Sequence, residues 1–102
     1  MNERVAIEKS SGNVFADLGF SPEEAANLTL RSLIAMKLED WYETSGYTQA
    51  RAARELGVTQ PRFNDLLKGR IDKFSLDALV NMAARAGMRV ELRVKMPLKK
   101  AA

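Results

Sequence analysis

The chain has 102 residues, 46% apolar and 28% charged, with a formal charge of +3, enough for one domain with a single modest core. No apolar run approaches the roughly 20 residues that span a bilayer, and the first dozen residues lack a signal-peptide core, so a cytoplasmic protein is expected. The absence of cysteine and histidine removes disulfides, thiolate metal sites, the commonest general base and the thiol nucleophile; the chain is read as a non-enzyme with no cofactor.

Residues 1–13 read as a flexible lead with a polar KSSGN cluster. A short apolar segment from Val14 to Phe20 follows, too apolar for a free tail. Ser21-Pro22-Glu23-Glu24 then supplies a helix start: a serine cap, proline in the first turn and glutamate three residues after the cap. The spacing predicts a helix from Pro22 to about Thr44, stopped by Gly46, with Ala26, Leu30, Leu33, Ile34, Leu38 and Trp41 on one stripe. Asn27 and Thr29 are weak helix formers and would permit a break between them. Glu39, Asp40 and Glu43 could pair carboxylates around Mg²⁺. Flanking Trp41 and Tyr42 on an amphipathic helix, they read instead as its wet face, and no metal site is expected.

Thr48 caps a second helix, Gln49 to Leu56, and Gly57 ends it. Thr59 caps a third, Gln60 to about Lys68, with Pro61 in its first turn and Gly69 as its stop. Ser75 caps a fourth, Leu76 to Ala86, ended by Gly87. The period then changes to two: Met88, Val90, Leu92, Val94 and Met96 alternate with Arg89, Glu91, Arg93 and Lys95 up to Pro97. Residues 88–96 are therefore expected to form a C-terminal strand, pairing with its symmetry mate across a dimer or with residues 4–8. The dimer-strand residues are Met88, Val90, Leu92 and Val94. The division is thus a lead at 1–13, a helical domain at 14–87, the strand at 88–96 and a tail at 97–102.

Charge is unevenly placed. Residues 1–47 carry four basic and eight acidic side chains, a net −4; residues 48–102 carry twelve basic and five acidic, a net +7. The helix pair from Thr48 to Gly69 lies in the basic half, where phosphate neutralisation would need it.

That pair has the parts of a helix-turn-helix: Ala53 for close contact, Gly57 for the turn, and Val58, Phe63 and Leu67 as buried anchors. The second helix of such a motif enters the major groove and presents its early residues to base edges. Gln60 suits adenine, Arg62 guanine or a phosphate, Asn64 faces outward, and Asp65 suits cytosine N4 or an ion pair with Arg62. Gln49 at a helix start, with Thr48, Thr59, Lys68, Arg70 and Lys73, suits the phosphate backbone. Helix–glycine–helix alone would fit any helical hairpin; these residues together point to DNA. RNA is disfavoured, because aromatic side chains for base stacking are lacking beside Gln60 and Arg62.

Residues 48–70 resemble the Cro/CI-type, or XRE-type, helix-turn-helix of phage repressors. The wider span from NVFADLG at Asn13 to Val94, with TQARAARELGVTQPRFNDLLKG and FSLDALVNMAARAG, is similar to a compact subgroup related to HigA-type antitoxins. The resemblance implies a mainly α, λ-repressor-like domain of about four to five helices with a C-terminal β-strand. It further implies a homodimer that binds an operator in double-stranded DNA and represses its own operon beside a cognate toxin. Carried over, Gln49 matches the phosphate-contacting glutamine, and Gln60, Arg62 and Asn64 match DNA-facing positions. Pro61 departs from the pattern at a position often used to read a base.

Two functions thus compete within the DNA-binding class: an autorepressing antitoxin and a stand-alone or phage-derived regulator. The acidic amino-terminal half would complement a basic RNA-cleaving toxin. Val14, Phe15, Leu18 and Phe20 could fold onto such a partner, or Phe15 and Leu18 could cover the domain's own core.

Overall fold

The computed structural model describes residues 14–98. A helical segment over residues 14–17 (α1) is followed by α2 (Pro22–Ser45), α3 (Gln49–Leu56) and α4 (Gln60–Leu67). A 3-10 turn (Ile71–Lys73) and α5 (Leu76–Arg85) complete the regular structure. Each of the four longer helices begins behind a hydroxyl side chain that accepts the amide three residues on. Ser21 accepts from Glu24, Thr48 from Arg51, Thr59 from Arg62 and Ser75 from Ala78, at 3.0–3.2 Å. Such a bond satisfies an amide that the helix itself leaves unpaired and is worth about 1 kcal/mol. Ser21 goes further: its own amide donates to the Glu24 carboxylate at 3.3 Å, closing a capping box.

The core lies where α2 crosses α5 and the α3–α4 pair. Leu38, Leu56, Phe63, Leu66, Phe74 and Leu79 are fully buried there. Each such side chain contributes about 1.5–3 kcal/mol by leaving water. Ala52 and Ala53 give α3 the small surface that lets its neighbours approach. The Tyr42 ring meets Phe63 edge-on at 5.1 Å, so α2 also covers α4. Arg31 on α2 ties down the 3-10 turn: its Nη1 donates to the carbonyls of Ile71 at 3.1 Å and Phe74 at 2.9 Å.

Three expectations need correction. The buried face of α2 begins with Ala25 and Leu28, then Ala35 and Leu38, whereas Ala26 and Leu30 are exposed and Leu33, Ile34 and Trp41 are half-buried. The helix carries apolar residues on more than one side, so its own periodicity does not choose the inward one; α5 and the 3-10 turn do. Asn27 and Thr29 make no break, for Thr29 returns its hydroxyl to the Ala25 carbonyl at 2.8 Å and the helix continues. Residues 88–98 form no strand: among the described residues no ladder exists, because extended backbone becomes a strand only beside a partner. One expected partner, residues 4–8, and the rest of the lead at 1–13 lie outside the described residues.

At the other end, Phe15 and Phe20 meet edge to face at 6.0 Å. Leu18 is 69% exposed and does not cover the core, while Val14 and Phe20 are also exposed. Among the described residues, no helix is long and apolar enough to cross a membrane.

Candidate nucleic-acid interface

The turn between α3 and α4 is built by Gly57 at φ +76°. Its amide reaches the Arg54 carbonyl at 3.1 Å, and the next amide, of Val58, reaches back to Ala53 at 3.0 Å. This six-to-one bond closes α3 in the left-handed manner that favours glycine. Val58 is half-buried and packs against the core margin. A second constraint comes from α5: a β-carbon at Gly57 would stand 2.7 Å from Arg85 Nε. That Nε already donates to the Glu55 carbonyl at 3.0 Å.

α4 then divides into two faces. Phe63 and Leu66 point wholly inward; Leu67, expected as an anchor, is half-buried at the edge of the core. Leu66 was the missed residue, although its three-residue spacing from Phe63 places it on the same face. Gln60, Pro61 and Lys68 are exposed, and Arg62, Asn64 and Asp65 are half-exposed. The structure therefore gathers the expected base-reading side chains on the outward side and end of one short helix.

Two of them are engaged within the protein. The Arg62 guanidinium lies over the Phe74 ring at 4.3 Å, and its Nη1 donates to the Lys73 carbonyl at 3.4 Å. Asp65 pairs with Arg70 at 3.3 Å, not with Arg62. The reason is positional: Arg70 follows the end of α4 directly, while Arg62 is drawn toward Phe74 beyond the 3-10 turn. Phe74 is buried, and nothing in its local sequence marks it as a platform for an arginine forty-odd ångströms of extended chain away.

The phosphate candidates flank this helix. Thr48 and Thr59 stand at the N-termini of α3 and α4, where free amides and the helix dipole favour an anion. Gln49 is the first residue of α3 and half-exposed; Lys68, Arg70 and Lys73 are exposed beyond α4. Arg51, exposed on α3, stacks on Tyr47 at 4.4 Å and pairs with Glu55 at 3.3 Å. Away from this surface, burial raises the Glu39 carboxyl above its ordinary range, helped by the negative charges of Glu43 and Asp40. Such an acidic neighbourhood on α2 is unsuited to a phosphate backbone.

Comparison with known proteins agrees with this geometry. A family model described as a helix-turn-helix domain matches residues 14–95. A solved structure assigned to the XRE family of transcriptional regulators superposes with a TM-score of 0.68 at 26% identity, over 78% of this chain and 90% of that one. No curated protein matches the chain significantly.

Proposed function

The chain belongs to the helix-turn-helix domain family, and from that premise we propose that it is a sequence-specific repressor of XRE type whose α4 lies in the major groove of an operator. The observation that carries this reading is the two-faced α4: Phe63 and Leu66 lock it into the core while Gln60, Arg62 and Asn64 remain on its accessible side. Gln60 and Asn64 are assigned to adenine edges and Arg62 to guanine. Stacking on Phe74 restricts the Arg62 side chain before DNA arrives, which lowers the entropy lost when its fork engages a base. Asp65 is held by Arg70 and has the smaller part, accepting from cytosine only if that pair opens. Gln49, Thr48, Thr59, Lys68, Arg70 and Lys73 are assigned to the backbone, fixing register without reading sequence.

One short helix reads too few base pairs to select an operator, so the working unit is a homodimer on two half-sites. The site of action is the cytoplasm, with the DNA it regulates. The experiment is a mobility shift on the DNA upstream of the chain's own gene against a scrambled duplex at fixed salt. Equal affinity for both would overturn the specific-repressor reading.

The finer reading is an autorepressing antitoxin, supported by the resemblance to HigA-type antitoxins and by two surface features. The amino-terminal half is acidic, and Val14, Leu18 and Phe20 are exposed beside the half-buried Phe15. A basic toxin would find both charge and apolar contact there. Co-expression with the product of the adjacent gene tests this: a stable complex weakened by Leu18→Glu supports it. A solitary gene favours the alternative, a stand-alone or phage-derived regulator.

A further inference from the structure

We infer that Arg31, on α2 and outside the helix pair, is a positioning residue for base reading: it sets Arg62 by fixing the turn on which Arg62 rests. The inference rests on the proposed major-groove reading and adds to it a residue that touches no base.

The turn has little of its own to hold it. Ile71–Lys73 is three residues long, has no capping side chain at its start, and exposes Asp72 and Lys73. So short a 3-10 segment has poor hydrogen-bond geometry. Arg31 supplies an outside hold from 40 residues away. One nitrogen, Nη1, donates to the carbonyl of the turn's first residue, Ile71, at 3.1 Å and to that of Phe74, just after the turn, at 2.9 Å. The Phe74 amide donates to the same Ile71 carbonyl at 3.1 Å. Phe74 is thereby fixed at its amide, at its carbonyl and by a fully buried ring.

Arg62 leans on the same stretch from α4, through the Phe74 ring and the Lys73 carbonyl. Two guanidinium groups thus grip residues 71–74, one from α2 and one from α4. Arg31 is the partly buried, anchored member, and Arg62 is the half-exposed one. Stability alone accounts poorly for Arg31. Its Nε is buried without a hydrogen-bond partner, a cost that an apolar side chain of similar length would avoid. An apolar side chain could not hold two carbonyls at a set spacing. That spacing places the Phe74 ring and the Lys73 carbonyl, and with them the Arg62 fork. A fork resting on a fixed platform loses less freedom when it meets a base.

Two substitutions separate this role from a structural one. Arg31→Met keeps an unbranched stem and removes the donors, whereas Arg31→Lys keeps the charge and a donor. In the full chain without DNA, nuclear magnetic resonance should show the Arg62 side-chain protons shifted upfield by the Phe74 ring. Arg31→Met should move them back toward unfolded-chain values, and Arg31→Lys should move them less, with helical circular dichroism retained. Mobility shifts then compare the duplex upstream of the chain's own gene with a scrambled one. The ratio of the two affinities should fall about two- to tenfold for Arg31→Met, the loss expected when one long side chain must be ordered on binding. Affinity for the scrambled duplex should change far less. Added to Arg62→Ala, Arg31→Met should lower the ratio no further. A residue that only stabilised the fold would lower the melting temperature and leave the Arg62 shifts in place. Arg62 shifts that stay at wild-type values in both variants overturn the inference. So does an equal fall in the ratio with and without Arg62. If Arg31→Met fails to fold, Arg31→Lys carries the same measurements. If the Arg62 shifts follow Arg31 while the wild type binds both duplexes alike, the operator reading fails and the linkage from Arg31 through Phe74 to Arg62 stands.

Discussion

Arg85 closes over Gly57: the last residue of α5 holds the Glu55 carbonyl at 3.0 Å while its Nε occupies the space a β-carbon at position 57 would need. The turn that sets the angle between α3 and α4 is thus clamped from outside the helix pair, by a residue 30 positions beyond the carbonyl it holds. The energies separate in an informative way. A non-glycine residue at this φ costs about 1–2 kcal/mol, and the Arg85 hydrogen bond contributes about 1 kcal/mol.

Gly57→Ala should therefore cost about 2–3 kcal/mol in urea unfolding, and Arg85→Ala about 1 kcal/mol. The double variant should cost no more than Gly57→Ala alone, since the alanine has already displaced the arginine. Strict additivity would contradict the clamp.

Arg62 offers a test at the interface. Arg62→Ala should cost on the order of 1–3 kcal/mol at the cognate operator and far less on random DNA. Arg62→Lys should not restore discrimination, because an ammonium neither stacks on Phe74 nor forks onto guanine. Gln49→Ala should instead weaken all sequences alike. Binding isotherms on specific and scrambled duplexes at one salt concentration decide; parallel losses for Arg62→Ala would remove it from the base-reading set.

Packing beneath α4 should be unequal at adjacent leucines. Leu66 is fully buried and Leu67 half-buried. Leu66→Ala should destabilise by about 2–5 kcal/mol through lost burial and the cavity left behind. Leu67→Ala should cost clearly less. Equal shifts in the urea midpoint would argue that α4 is rotated from the orientation described.

The acidic cluster on α2 gives a pH signature. Burial first, and then Glu43 and Asp40, raise the Glu39 carboxyl in the folded chain. The folded state therefore holds this proton more tightly than the unfolded one, and stability falls as pH rises through the raised value. Glu39→Gln should melt higher than the wild type at neutral pH, with the gap closing as pH falls below the ordinary carboxylate range. A gap that widens in acid would contradict the direction of the shift.

Much of the local structure was legible in the chain itself, because each cue acts over three or four residues. Ser21, Thr48, Thr59 and Ser75 announce the helix starts, since a hydroxyl can satisfy only an amide in its own first turn. Gly57 announces the turn for an equally local reason, and the polar side of α4 follows from its period. The inward side of α2 was not legible, for apolar residues stand on several of its faces and only α5 and the 3-10 turn select Ala25 and Leu28 over Ala26 and Leu30. Arg62 on Phe74, Asp65 with Arg70, and Arg85 on Gly57 belong to the same class. A long cationic side chain reaches whichever partner the fold brings near, and composition does not rank those partners. Residues 88–96 mark the boundary most clearly: alternation specifies an extended segment with two faces, but a strand needs a neighbour to share its amides and carbonyls. Local cues along the chain mark where the helices begin, where they turn and which chemistry α4 displays. Tertiary structure decided which of those side chains are held by the protein before any DNA arrives, because that depends on distances across the fold.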